Sequence, residues 1–238
     1  MGLDPPPTSL NSRLFLCCLI ALLGSLAGCG QFQEGSGNRV TRTVDVGQFS
    51  ALALQGSGRL RLEAGKDPSV SLTIDDNLVD QVKAHVAESQ LVVELPRNTR
   101  SPKGLEVVVT VPTMKRVTLD GAWDAHIDGI HGDFFTLVID GAGKAQGKGV
   151  VDHVELNING SGEVFLHELV GSNVNVKISG SGRAGVHAVM NLTASIVGSG
   201  SIEYRGEPKI TKRITGSGRI EPDDDDVDEM PTRQTTTD

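Results

Sequence analysis

The feature that most constrains this chain is a short unit that keeps returning: an alternating run of residues closed by glycine, a small residue and glycine. It reads VTLDGAW at 117–123, LVIDGAG at 137–143, LNINGSG at 156–162, VKISGSG at 176–182, ASIVGSG at 194–200 and KRITGSG at 212–218. An earlier copy, LALQGSG, lies at 52–58. The first glycines of the six later copies are Gly121, Gly141, Gly160, Gly180, Gly198 and Gly216, so the spacings are 20, 19, 20, 18 and 18. Self-similarity at a nearly fixed period is the mark of stacked-repeat architectures. Apolar and polar residues alternate with period two, which makes each unit a strand and not a helix.

Parity assigns the inward row. Two places before each first glycine stand Leu119, Ile139, Ile158, Ile178, Ile196 and Ile214, and four places before stand Val117, Leu137, Leu156, Val176, Ala194 and Lys212. A period of 18 to 20 suits one coil of a solenoid, with like positions stacked about 4.8 Å apart. The residues just after the first four later Gly-x-Gly copies are Asp124, Lys144, Glu163 and Arg183, which alternate in sign. On stacked parallel coils they would form a ladder of opposite charges. The expected fold class is therefore all-β: a single-stranded parallel β-helix-like solenoid with a less regular N-terminal β segment. That segment has strand-like runs at 51–54, 59–63, 70–74, 82–86, 91–95 and 105–111. Glu88-Ser89-Gln90 reads as the turn of a hairpin that protrudes and caps one end. Pro222 and the acidic run after it would block strand addition at the other end.

The ends of the chain read differently. Arg13 precedes an apolar run, Leu14 to Ala27, too short to span a bilayer and followed by Gly28-Cys29. This layout resembles a signal peptide over 1–28 with a lipoprotein lipobox, which implies cleavage before Cys29 and lipid on that cysteine. The other two cysteines, Cys17 and Cys18, lie in the segment to be removed, so no disulfide, thiolate metal site or cysteine nucleophile is expected. Residues 29–39 read as a flexible, glycine-rich tether, 40–220 as the solenoid domain, and 221–238 as a disordered acidic tail containing Asp223-Asp224-Asp225-Asp226. The net charge of −8 argues against nucleic acid as a partner. Gly30 is not Asp, so inner-membrane retention is not signalled. The expected location is exported and membrane-anchored, at the outer membrane or cell surface, with the lipid anchor making the membrane a partner.

The Gly-Ser-Gly and Gly-Ala-Gly copies stand behind the lipobox and an opening strand, Phe49-Ser50-Ala51-Leu52. With LEVVVTVP at 105–112 running into VTLDGAW, they resemble the head GIN domain family of auto-transporter adhesins. The resemblance covers about residues 45 to 220. Trp123 departs from it, standing where the family pattern prefers glycine. The resemblance implies a right-handed β-helix-like fold, a cell-envelope location and an adhesin role, and it brings no catalytic residues.

Several candidate sites follow from the columns that stacking would create. Asp120, Asp140 and Asn159 precede the first glycine of successive copies and offer oxygens of the kind calcium takes. Asp-Gly and Asn-Gly also suit tight turns, and the column continues as Ser179, Val197 and Thr215, so turn chemistry is preferred. The calcium β-roll nonapeptide does not fit, because glycines come once per coil. His167 and His187 share a register, but Lys148 and Arg205 flank them, which opposes a metal. Trp123 is a single aromatic that packs or offers one sugar contact. No catalytic residues, cofactor or metal are assigned. The expected function is a binding module or adhesin without catalysis, for a surface glycan or protein ligand. A polysaccharide lyase or hydrolase, marked by paired carboxylates in a groove, and an envelope scaffold are the alternatives. A flat polar face at Thr118, Asn157 and Ser195 favours binding or scaffolding.

Overall fold

The computed structural model describes residues 2, 32–96 and 98–223. The signal segment, Cys29 and Asp224-Asp225-Asp226 lie outside these residues. Fifteen strands follow in chain order: β1 (Gln33–Glu34), β2 (Arg39–Val44), β3 (Ala51–Ala64), β4 (Ser69–Asp75), β5 (Lys83–Ala87), β6 (Gln90–Glu94), β7 (Thr99–Arg100) and β8 (Leu105–Val111), then β9 (Arg116–Gly141), β10 (Lys144–Gly160), β11 (Glu163–Gly180), β12 (Arg183–Gly198), β13 (Ser201–Arg205), β14 (Lys209–Gly216) and β15 (Arg219–Pro222). No α-helix occurs among the described residues; one 3-10 turn spans Val79–Gln81.

Long consecutive strands pair in parallel. Gly160 of β10 stands beside Gly141 of β9 and Gly180 of β11, and Gly198 of β12 beside Gly180 and Gly216. Only two residues separate β9 from β10, so the chain comes back beside itself within each long strand plus its short corner. The inward row is as parity places it. Ile139, Ile158, Ile178 and Ile196 are all buried and stack rung upon rung, as do Leu137, Leu156, Val176 and Ala194 one position in. Burying each such β-branched or leucine side chain contributes roughly 1.5–3 kcal/mol.

The early copy docks where the repeat would put it, but from a distance. Ala51 to Glu63 of β3 run in register with Arg116 to Asp128 of β9, 65 residues on, with Gly56 opposite Gly121. The intervening chain lays β6 and β8 against the other side of β3, β6 beside Ala51–Gln55 and β8 beside Gly58–Ala64. The hairpin of β5 and β6 forms as expected, its turn made by Glu88 and Ser89 at positive φ. It does not protrude: Leu91 and Val93 of β6 are fully buried because that strand pairs with β3 as well. Antiparallel pairing also links β4 to β8 and β2 to β4, so the sheet is mixed and its strand order is open rather than closed.

Both ends depart from the sequence reading. Residues 33–39, expected as tether, are fastened to the body. β1 pairs with β7, the Gly37 amide donates to Asp75 Oδ1 at 2.9 Å, and the Ser36 amide donates to Asn77 Oδ1 at 2.9 Å. Asn77 Nδ2 returns a bond to the Glu34 carbonyl at 2.8 Å, and the Ser36 hydroxyl donates to the Asp76 carboxylate. That hydroxyl bond holds the Asp76 carboxyl below its ordinary range. The cause is local: Asp75-Asp76-Asn77 presents side-chain oxygens to the backbone amides of the glycine-rich segment, as such residues do in turns. At the far end Ile214, inward by parity, is 42% exposed because β14 is the last rung of its column. Lys212, also inward by parity, bends across that end. Its ammonium donates to the Ile220 carbonyl at 2.9 Å and sits 5.3 Å from the centre of the Tyr204 ring. An inward-pointing charge of this kind blunts an open edge. The boundary expected at 220 falls inside β15, and the Asp223 amide still donates to the Tyr204 carbonyl at 2.9 Å.

Candidate functional site

Parallel register turns each outward position into a column. One column is Phe134, His153, Asn173, Asn191 and Lys209, one residue per rung. Two residues on, Glu155, Asn175, Thr193 and Thr211 form a second column. Between them Val154 and Val174 turn inward and make a floor. The two walls enclose a trough of about 550 Å³ that crosses the strands along the stacking direction. Five rungs at about 4.8 Å make it roughly 19 Å long.

Its two ends differ chemically. Phe134 is 47% exposed and stacks on His153, with ring centres 6.1 Å apart and planes at 29°. The middle is built from amides: Asn191 Nδ2 donates to Asn173 Oδ1 at 2.8 Å. Beside them, Asn175 Oδ1 is buried with no hydrogen-bond partner, a condition that costs about 1–3 kcal/mol. Glu155 on the second wall is met by Lys177 at 3.6 Å. Sequence reasoning missed this site. The signal was present in Phe134-Phe135: with period two, one of an adjacent aromatic pair must face out, and Phe135 is the buried one.

A second depression, about 380 Å³, is lined by His126, Lys148, Phe165, His167 and Glu168. Lys148 pairs with Asp128 at 3.5 Å, and the His126 imidazole lies 3.9 Å from Asp124. The expected pairing of His167 with His187 does not form. A bulge between Leu166 and Val170 loops out the three residues 167–169, so His187 stands beside Val170. The 20-residue coil must shed residues against the 18-residue coil that follows. His167 instead packs on Phe165 and approaches Asp223 Oδ2 at 3.4 Å, and Arg205 donates to the same oxygen at 2.7 Å.

The remaining candidates fall as follows. Asp140 and Asn159 are neighbours in register, and Asn159 Nδ2 donates to Asp140 Oδ1 at 2.7 Å; Asp120 stands opposite Gln55. Trp123 is 1% exposed, which removes it as a sugar contact. Asn157 and Ser195 share a column with Lys177 and Arg213, while Thr118 pairs with Ala53.

The charge ladder is in register. Lys144 stands beside Asp124 and Glu163, and its ammonium donates to Glu163 Oε2 at 2.9 Å. That hydrogen bond and the charge of Lys144, aided by Arg183, hold the Glu163 carboxyl below its ordinary value. A carboxyl depressed in the folded state adds stability above its unfolded pKa and loses it as pH falls through the folded one. We expect Lys144→Met to raise the Glu163 pKa back toward the ordinary range, read by carboxyl-carbon NMR titration. The associated loss of stability should appear only above about pH 4 and shrink in high salt.

Long strands stacked in parallel around an aliphatic core, with outward columns and no α-helix among the described residues, define an all-β protein of stacked strands. The chain belongs to the family described as "Putative auto-transporter adhesin, head GIN domain", whose model matches residues 48–208. Among solved structures, a "putative adhesin" of Bacteroides fragilis is similar with a TM-score of 0.65, 21% identity, and coverage of 80% of this chain and 99% of that one. A "putative adhesin" of Parabacteroides distasonis is similar with a TM-score of 0.53, 21% identity, and coverage of 80% and 99%. At these identities the likeness is one of fold. No curated protein matches the sequence. No helix among the described residues is long and apolar enough to cross a membrane.

Proposed function

We propose that this chain is a lipid-anchored β-solenoid of the cell envelope, working as a binding module of the adhesin type without catalysis. The observation that carries the reading is the trough. It is an open, polar-walled recess with one aromatic end, of a volume ordinary for ligand sites. Family membership supports the adhesin role. The return of the chain beside itself every 17 to 20 residues from β9 onward supports the solenoid. A right-handed path agrees with the strong preference of parallel crossovers for that hand. Non-enzymatic action is supported by the carboxylate count at the trough. Among the described residues Glu155 is the only carboxylate lining it, and glycoside cleavage by acid–base chemistry takes a pair.

The anchor is tested at Cys29. We expect the full chain to incorporate labelled palmitate in cells and to partition with detergent, and Cys29→Ser to lose both properties. Protease treatment of intact cells then reads the exposure of the domain. Rapid digestion of residues 38–220 agrees with the adhesin role. Protection until the envelope is opened would direct the search to periplasmic partners instead. An unchanged Cys29→Ser protein overturns lipid anchoring.

A further inference from the structure

We propose that the trough binds a neutral polysaccharide chain laid along the stacking direction, across the strands. Two features of the site call for a ligand. Asn175 lines the trough and its occluded Oδ1 accepts no hydrogen bond from the protein, so a turn of the amide toward the recess would bring it a donor from a ligand. Phe134 keeps 47% of its surface exposed at the end of a recess, although its neighbour Phe135 is fully buried. A ligand that satisfies both must carry hydroxyl or amide donors and an apolar face. A pyranose ring has that combination, with C–H bonds on its faces and hydroxyls around its rim.

The layout selects a chain over a single sugar. Asn173 and Asn191 stand on successive rungs on one wall, with Asn175 and Thr193 facing them on the other. Hydrogen-bonding groups therefore recur at the strand spacing of about 4.8 Å, close to the advance of one sugar unit in an extended glycan. The bond between Asn191 Nδ2 and Asn173 Oδ1 leaves each amide with free donor or acceptor capacity for a hydroxyl. The charges argue for a neutral ligand. Glu155 is already met by Lys177, leaving Lys209 as the one Lys or Arg among the described residues that line the trough, which is too little to select a polyanion. A peptide in the same place would leave the half-exposed ring without a matching face unless its sequence supplied one, and the free strand edge that borders the trough, that of β14, lies at the end away from Phe134.

This inference rests on the reading of the protein as a binding module, and its test separates the two. Calorimetric titration of the folded domain with chitohexaose, cellohexaose and mannohexaose should show saturable, sub-millimolar to millimolar binding for at least one of them. Phe134→Ala should weaken it roughly tenfold or more. Asn175→Leu should also weaken it, and Phe165→Ala, in the second depression, should leave it unchanged. Unfolding of each variant, followed by circular dichroism, checks that a loss is not misfolding. Absence of binding to all three glycans, or binding unaffected by both Phe134→Ala and Asn175→Leu, overturns the inference. If the glycans fail but domain-coated beads still attach to cells or matrix, the adhesin reading survives and the trough assignment does not. If binding moves to sulfated or uronic oligosaccharides, the neutral class is wrong.

Discussion

Gly160→Ala should unfold at markedly lower urea than the parent, with a loss of about 4–5 kcal/mol, near the top of what single changes do. Two causes combine there. Gly160 has φ of 123°, a region that residues with a side chain rarely enter, costing of order 1–3 kcal/mol. A Cβ at that position would also lie 2.5 Å from the Gly141 carbonyl oxygen on the preceding rung. That oxygen accepts the Ser161 amide at 2.9 Å, so relief of the clash disturbs a rung-to-rung bond. Gly132 separates the causes. Its φ is 121°, yet nothing lies within 4 Å of its Cβ position. Gly132→Ala should therefore cost only the backbone strain. Equal losses for the two variants, by urea titration, would show that close stacking is not what requires glycine at Gly160.

Trp123→Ala should cost about 3–5 kcal/mol, the usual range for deleting a buried large aromatic. Trp123 stands in the column of second glycines, opposite Gly58, and its ring lies 3.0 Å from where a Cβ on Gly58 would be. It fills space that Gly58 leaves open. The indole is buried without a hydrogen-bond partner for Nε1. Trp123→Phe keeps much of the volume and removes the unpaired donor, so it should change stability by no more than about 1.5 kcal/mol. Because Trp123 is the only tryptophan, unfolding must be followed by circular dichroism instead of intrinsic fluorescence. A Phe variant as damaged as the Ala variant would mean that the indole nitrogen has a partner in solution, such as a water.

What could be read from the sequence was what depends on neighbours along the chain. Alternation alone located 105–111 and the rows of Ile139, Ile158, Ile178 and Ile196. It also placed Lys144 between Asp124 and Glu163, because like positions of regular coils must meet. What could not be read depends on where regularity stops. Nothing in LALQGSG says that its partner lies 65 residues away, because the excursion between them is held by tertiary pairing to β3. The pairing expected for His167 and His187 failed at a bulge that absorbs the change from 20-residue to 18-residue coils. Ile214 and Lys212 obey parity, but the last rung has no neighbour to cover them. The trough was hidden for a related reason. Phe134, Asn173 and Asn175 are unremarkable in a line of text and become a site only when register sets them side by side.

The fastening of residues 33–39 has a mechanical consequence once Cys29 is taken as the lipid-bearing residue. An eleven-residue leash over 29–39 would let the head wander and reorient above the bilayer. With β1 starting at Gln33, only four residue steps separate the anchor from the folded body, at most about 14 Å of extended chain. The head would then have a short standoff and a preferred pole, with the end carrying β1, β7 and the exposed Phe32 turned to the lipid. Its reach into the surroundings is set by the length of the stack, as with a rigid post, and coil number would control that height.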